Sequence, residues 1–401
     1  MTVATAALVS GCVVGPPPKD FAIEDAVLAM RVQEGGEDSS HLVLVSPNGK
    51  TRAIELEGVG EEAGISWTAR GITVSDPSRD YLIDETGLTA NERTSGGEEL
   101  EASSEWYRVP VGEGTLVGFS PADSSKDPFV TYIDGESGKT TTRVSPYGET
   151  STAAVCGDRV FAPGRGTSTK AFEEDSESVP ESDHNRAALT SAYPHDGADI
   201  MSTMAPMLNP GMVSPCVDGI VYELWQQSGS EQDFVRTWNT AKGTPPEQAA
   251  ADHEIIYPED DDSSHGIASD PTVVDGRLVW VVDYTMWSAP LPSGAAGPIK
   301  ARDDGPVEGT LGLGSEVLTF SPDAVYTMTD DSELHERLRR RGGGDRVWRE
   351  LSELSLLRTD LATGELAVAL DVDVKDVDFP TKNFYVTALA INPEWLAERG
   401  E

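Results

Sequence analysis

The strongest constraint on the fold is a pattern of turns, and its cleanest copy lies between Asp270 and Ala301. An apolar run there ends at Asp275-Gly276, a dipeptide suited to the positive φ of a tight hairpin turn. A second run, Leu278 to Val282, leads to a third around Met286 to Leu291, and Pro292-Ser293-Gly294 turns the chain toward a fourth around Gly297 to Ala301. Short apolar runs bounded by Gly, Pro and Asp read as strands, so the unit is four antiparallel strands on short turns.

The same two turns recur along the chain. The one after the first strand is found at Arg70-Gly71, Gly112-Glu113-Gly114, Gly157-Asp158, Asp218-Gly219, Asp275-Gly276, Pro322-Asp323 and Pro380-Thr381-Lys382-Asn383. The one after the third strand is found at Ser46–Gly49, Asp84–Gly87, Asp134–Gly138, Pro194–Gly197, Asn239–Gly243, Pro292–Gly294 and Asp360–Gly364. The two kinds alternate, and the series starts with the later kind and finishes with the earlier. His41–Val45 and Thr51–Leu56 are therefore expected as the outer half of a sheet whose inner half, Val372–Phe379 and Phe384–Ile391, comes from the other end of the chain. A sheet shared in this way closes a ring and removes its open edges. The expected fold is an all-β, seven-bladed β-propeller, with six or eight blades as neighbouring alternatives and a pair of β-sandwiches as the competing architecture.

The 401 residues divide accordingly: 1–12 as the remnant of a signal peptide, 13–40 as a tether, 41–391 as the propeller and 392–401 as a C-terminal tail. The formal charge of −39, from 69 acidic against 30 basic residues, argues against nucleic acid, whose phosphates need Lys and Arg. A monomer is the expected state.

Leu8-Val9-Ser10-Gly11-Cys12 resembles the lipobox of bacterial lipoproteins. The resemblance implies that Cys12 receives the lipid and that the protein sits on the outer face of a bacterial membrane, held by its lipid anchor alone. The eleven residues before Cys12 contain no Lys or Arg, so the true signal peptide is expected to start further upstream. Pro16-Pro17-Pro18 suits an extended tether after the anchor. Outside the cytoplasm the two other cysteines, Cys156 and Cys216, are expected as a disulfide. Each ends the first strand of its blade, in neighbouring blades.

Asp360-Leu361-Ala362-Thr363-Gly364-Glu365 looks like the repeat turn of PQQ-like propellers, a superfamily with WD40-like repeat logic that includes non-enzymatic lipoproteins and quinoprotein dehydrogenases. Leu366–Leu370 lacks the tryptophan that normally follows that turn, so no quinone and no other cofactor is expected.

In such a blade, turns after the first and third strands lie on one face and all other connections on the opposite one. The long connections, 91–105, 163–186, 247–269 and 330–353, all belong to the second face. Binding residues concentrate on long loops carried by a rigid scaffold, so this looped face is the candidate binding face. It offers Asp260, Asp261, Asp262 and His265 in one acidic loop, and Arg337, Arg339, Arg340 and Arg341 at the end of a short expected helix. The acidic run could attract calcium, but it lacks the spaced Asp-x-Asp-x-Asp-Gly ligand pattern and also reads as a solvated loop. The arginines suit an acidic partner or the protein's own carboxylates.

No Gly-x-Ser-x-Gly elbow and no His-x-x-x-His spacing occurs, so no catalytic or metal-ligating residue is assigned. The leading reading is an anchored binding propeller for a protein or cell-envelope ligand. The alternative is a secreted hydrolase or lyase with carboxylates or histidines at the channel mouth.

Overall fold

Alternation with period two decides which side of each strand packs inward, and the blade 1 strand Gly71–Ser75 shows how. Ile72 and Val74 join the apolar seam toward one neighbouring blade, while Thr73 and Ser75 face the other. The computed structural model describes residues 17–34, 39–57, 64–144, 152–165, 187–194, 200–202, 213–226, 232–258, 269–282, 285–294, 296–307, 318–329, 354–374 and 384–399. Seven four-stranded blades stand in a ring, two of them carrying an extra parallel strand.

Blade 1 consists of Ser66–Thr68, Gly71–Ser75, Arg79–Asp84 and Gly87–Glu92. Blade 2 consists of Ala102–Val111, Gly114–Pro121, Phe129–Ile133 and Thr140–Val144. Blades 3 to 6 begin at Ala153–Cys156, Cys216–Val217, Thr272–Val274 and Leu318–Phe320. Every described strand within a blade is antiparallel to the next, and among the described residues the early and late turns alternate as expected. His195–Gly197 and Pro380–Asn383 lie outside the described residues.

The seventh blade is shared between the two ends of the chain, but not by halves. Its innermost strand is Phe384–Ile391, and the other three are Leu28–Glu34, Ser39–Val45 and Thr51–Glu57. Leu366–Val372 is instead the outermost strand of blade 6, paired with Leu354–Asp360. Leu28–Glu34 falls in the stretch expected as tether because Arg31 interrupts its alternation. Leu28, Met30 and Val32 pack on blade 6, while Arg31 turns to the other side, where polar partners are waiting.

Blade 5 also departs from its expected boundary. Only Ile299–Lys300 of the region around Gly297–Ala301 is a strand, and it runs parallel to the outer strand of blade 4, Ala250–Ile256. The true fourth strand is Arg302–Pro306, antiparallel to Thr285–Pro290. Ile299 and Ala301 are drawn into the apolar seam between blades 4 and 5, which takes that segment off its own blade. A second parallel stitch, Val213–Ser214 beside Ala153–Cys156, joins blades 3 and 4.

The core is distributed between neighbouring blades as separate apolar clusters. Met30, Tyr326, Leu356 and Val386 fill one seam, and Trp280, Trp287, Leu224 and Val235 another. Arg93 lies over the Phe119 ring, 4.3 Å from its centroid, in the seam between blades 1 and 2. After the last strand, helix Pro393–Glu398 is capped by Asn392, whose side chain accepts from the Glu394 N–H at 2.9 Å, and Trp395 and Leu396 lie on the core. No helix among the described residues is long and apolar enough to cross a membrane.

Candidate functional site: the looped face

Strand direction fixes the two faces. The first strand of each blade ends at the tight turn face, so the second strand ends at the looped face. On the described part of the looped face, Asp76–Ser78 joins strands of blade 1, the hairpin Thr94–Glu99 lies between blades 1 and 2, and residues 122–128 join strands of blade 2. Asp76 shapes its own turn, since Oδ1 accepts the N–H groups of Ser78 at 2.8 Å and Arg79 at 2.7 Å.

Beneath these connections lies a buried ionic network joining blades 7, 1 and 2. Arg108 donates to Glu105 through Nε at 2.9 Å and Nη2 at 2.7 Å, and reaches across the seam to Thr73 Oγ1 at 3.2 Å and Ser75 Oγ at 2.6 Å. Ser75 Oγ donates to Asp80 Oδ1 at 2.6 Å, and Arg93 holds the same oxygen at 2.8 Å. From blade 7, Arg31 donates to Ser40 Oγ at 3.0 Å and to the Ser75 carbonyl at 3.0 Å. Gly64, in the connection from blade 7 to blade 1, donates its N–H to Glu105 Oε1 at 3.0 Å. Asp76 also accepts from the Tyr81 hydroxyl.

Burial sets the electrostatics here. It pushes the Arg31 guanidinium down to about 10, opposed by the nearby Glu105 carboxylate. Burial also raises the Asp80 carboxyl, against the lowering influence of Arg93 and of the Ser75 hydrogen bond. Three guanidinium groups face three carboxylates, and Asp80 Oδ2 and Arg93 Nε are the atoms left without a hydrogen bond. So paired and so deeply buried, the network makes the inner wall of the looped face rigid and offers no reactive group to solvent.

Blade 4 holds a second buried group of charges. Trp238 Nε1 donates to Glu223 Oε2 at 2.8 Å, and Arg236 pairs with Asp252 at 2.7 Å. Burial raises the Glu223 carboxyl, partly offset by Arg236. Near the looped end of this blade Asp233 is fully buried, and its Oδ2 accepts from the Tyr257 hydroxyl at 2.8 Å. Its carboxyl is pushed up to about 6 by burial, against hydrogen bonds from Tyr257 and Gln226.

Sequence reasoning missed these buried charges. The available signal was a charged residue inside an otherwise apolar strand, as in Leu-Ala-Met-Arg-Val around Arg31 or Trp-Tyr-Arg-Val around Arg108. His41 and His253 are strand residues, and His253 Nδ1 lies 3.1 Å from the Gly297 carbonyl of the stitching segment. Cys12, Asp260, Asp261, Asp262, His265, Arg337, Arg339, Arg340 and Arg341 lie outside the described residues. Among the described residues, no three His, Cys, Asp or Glu side chains gather as a metal site.

Cys156 and Cys216 form the expected disulfide between blades 3 and 4, with Cα atoms 5.3 Å apart. The parallel pairing of Ala153 with Val213 and of Ala154 with Ser214 brings them together. A cavity of about 290 Å³ opens beside the disulfide on the tight turn face, lined also by Arg159, Phe161, Asp218 and Thr240.

No protein-family model and no curated protein matches the sequence. Among solved structures the chain is similar to the β-propeller domain of the Trilobed protease from Pyrococcus furiosus, at 10% identity over 90% of this chain and 98% of that one, with a TM-score of 0.46. It is similar to apo AztD from Citrobacter koseri at 10% identity over 91% and 98%, with a TM-score of 0.40. It is also similar to BamB from Moraxella catarrhalis at 11% identity over 76% and 97%, with a TM-score of 0.37.

Proposed function

We propose that this protein is a lipid-anchored, extracytoplasmic binding propeller that holds a protein or cell-envelope ligand on its looped face. The observation that carries this reading is the unequal treatment of the two faces. Turns after first strands are short wherever they are described, as at Arg70-Gly71 and Asp275-Gly276. Those after third strands are short in blades 1 and 2 but extend over 240–249 in blade 4, with helix Pro246–Ala249, and over 291–301 in blade 5. The longest connections, 166–186 and 330–353, join strands at the opposite face. Chain length placed on one side of a rigid ring suits recognition better than ring stability, because closure needs only short links. The ionic network beneath that face gives its loops a fixed base. The acidic run Asp260–Asp262 with His265, and the arginines at 337 and 339–341, are the proposed contact residues.

The test is affinity capture with the anchored protein in its native envelope, compared with a variant lacking residues 331–344. Loss of a partner retained by the Glu113→Lys variant, altered on the tight face, is the expected result. An identical set of partners from both variants would sink the assignment of this face.

A further inference from the structure

The N-terminal segment shows which way the looped face points if Cys12 carries a lipid, an inference that rests on the anchor proposed above. From Lys19 to Val27 the chain runs along the tight turn face, from the outer rim of blade 1 to blade 7. The Lys19 carbonyl accepts the Leu88 N–H at 2.9 Å, and Ile23 donates its N–H to the Asp84 carbonyl at 2.9 Å, beside the third-to-fourth-strand turn of blade 1. Gly87, at φ +134, lets the segment approach so closely that a Cβ there would stand 2.3 Å from the Lys19 oxygen. Phe21 and Ile23 are buried, and Arg52 stacks over Phe21 at 5.4 Å while donating to the Ile23 carbonyl. The Pro18 carbonyl accepts the Phe21 N–H at 3.2 Å, so the chain is held on the tight face from Pro18 onward.

Cys12 lies six residues before Pro18, a reach of at most ~22 Å even when fully extended, before any detour around the rim. A seven-residue strand such as Leu28–Glu34 spans ~23 Å between the two faces. The tether is therefore too short to bring an anchor from its exit point around to the looped side. We infer that the propeller stands on the membrane with its tight turn face inward and its looped face directed into the aqueous space, so that the partner is a water-soluble macromolecule or envelope polymer and not the bilayer that holds the anchor. The tight face exposes Glu85, Glu113, Glu136, Asp158, Asp218 and Asp275, with Lys50, Arg70, Lys139 and Lys242 among them and Arg70 paired to Glu113. Anionic headgroups repel a face with this acidic excess, but the ~22 Å of tether exceeds the ~8 Å screening length at physiological salt, so it can stand off without leaving the surface.

The test uses the acylated full chain in lipid vesicles with energy-transfer acceptors on the headgroups, and donors attached through Glu85→Cys, Lys242→Cys or Ser124→Cys. All three positions are exposed; the first two lie on the tight face at blades 1 and 4, and the third on the looped face of blade 2. Efficient transfer from both tight-face donors and weaker transfer from Ser124→Cys is the expected result. Strong transfer from Glu85→Cys and Ser124→Cys with little from Lys242→Cys would mean the ring stands on its rim, and equal transfer from all three would mean free tumbling; either overturns the orientation. Mass spectrometry of the N-terminal peptide separates the two ideas. An unmodified Cys12 removes the anchor and the orientation together, whereas a lipidated Cys12 with either contrary transfer pattern removes the orientation alone.

Discussion

Leu28 and Ile391 face each other in one antiparallel ladder, with Ala29 opposite Ala390 and Met30 opposite Leu389. This pairing closes the ring, because it joins the innermost C-terminal strand to three N-terminal ones. Leu28 is completely buried among the side chains of blades 6 and 7. Leu28→Ala is expected to lower stability by about 2–5 kcal/mol through lost burial and a residual cavity. Urea denaturation followed by tryptophan fluorescence checks this, and a midpoint equal to wild type would mean that the closing ladder adds nothing.

The buried network should respond unlike a surface ion pair. In Arg108→Met, Glu105 stays buried without its main partner, which is expected to destabilise the protein by about 3–5 kcal/mol. Replacing Glu105 as well, by Gln, should recover part of that loss, because it removes the uncompensated charge. Arg70 and Glu113 also pair at 2.8 Å, but in solvent, so Arg70→Ala should leave the denaturation midpoint nearly unchanged.

The disulfide closes a loop of sixty residues between Cys156 and Cys216. Removing that constraint from the unfolded chain is expected to lower stability by about 4 kcal/mol. Thermal unfolding of Cys156→Ser with Cys216→Ser should show a lower midpoint than wild type, and a non-thiol reductant should shift wild type but not the variant. A midpoint unmoved in both cases would show that the parallel stitch at Val213–Ser214 suffices without the bond.

Asp233 supplies a pH signature. Its carboxyl is raised from 3.8 to about 6 in the folded protein, so the native state binds the proton more tightly than the unfolded chain does. Stability from this group is therefore greatest at low pH and is lost as pH rises from about 4 to about 6. Asp233→Asn cannot ionise and still offers an oxygen to the Tyr257 hydroxyl. Across that window the variant should gain stability relative to wild type, with a constant difference above it. Parallel denaturation curves at every pH would show that Asp233 titrates normally.

Much of the fold was legible because hairpin turns are local. A tight turn at Asp275-Gly276 needs positive φ at both residues, and they take φ values of +49 and +71. The period-two alternation of each strand then fixed which residues turn toward a neighbouring blade. The Leu28–Glu34 strand was not legible, since a single arginine breaks its apolar pattern and its partner strand lies at the far end of the chain. Nor was the departure of Ile299–Lys300 to blade 4, because the apolar seam that takes up Ile299 and Ala301 is built from strands distant along the chain.

By itself, then, the sequence determined the repeating hairpins, their alternating phase and the pairing of two cysteines. Each depends on backbone preferences or order along the chain. It did not determine which connections are long, since the expected looped connection 247–269 contains the strand Ala250–Ile256. Tertiary structure alone decided that three N-terminal strands complete the last blade, that the Arg31, Arg93 and Arg108 guanidinium groups meet Asp76, Asp80 and Glu105 under the looped face, and that residues 19–27 run along the opposite face. Those outcomes depend on which distant surfaces come within hydrogen-bonding reach once the ring has closed, where low dielectric makes each charge require its partner.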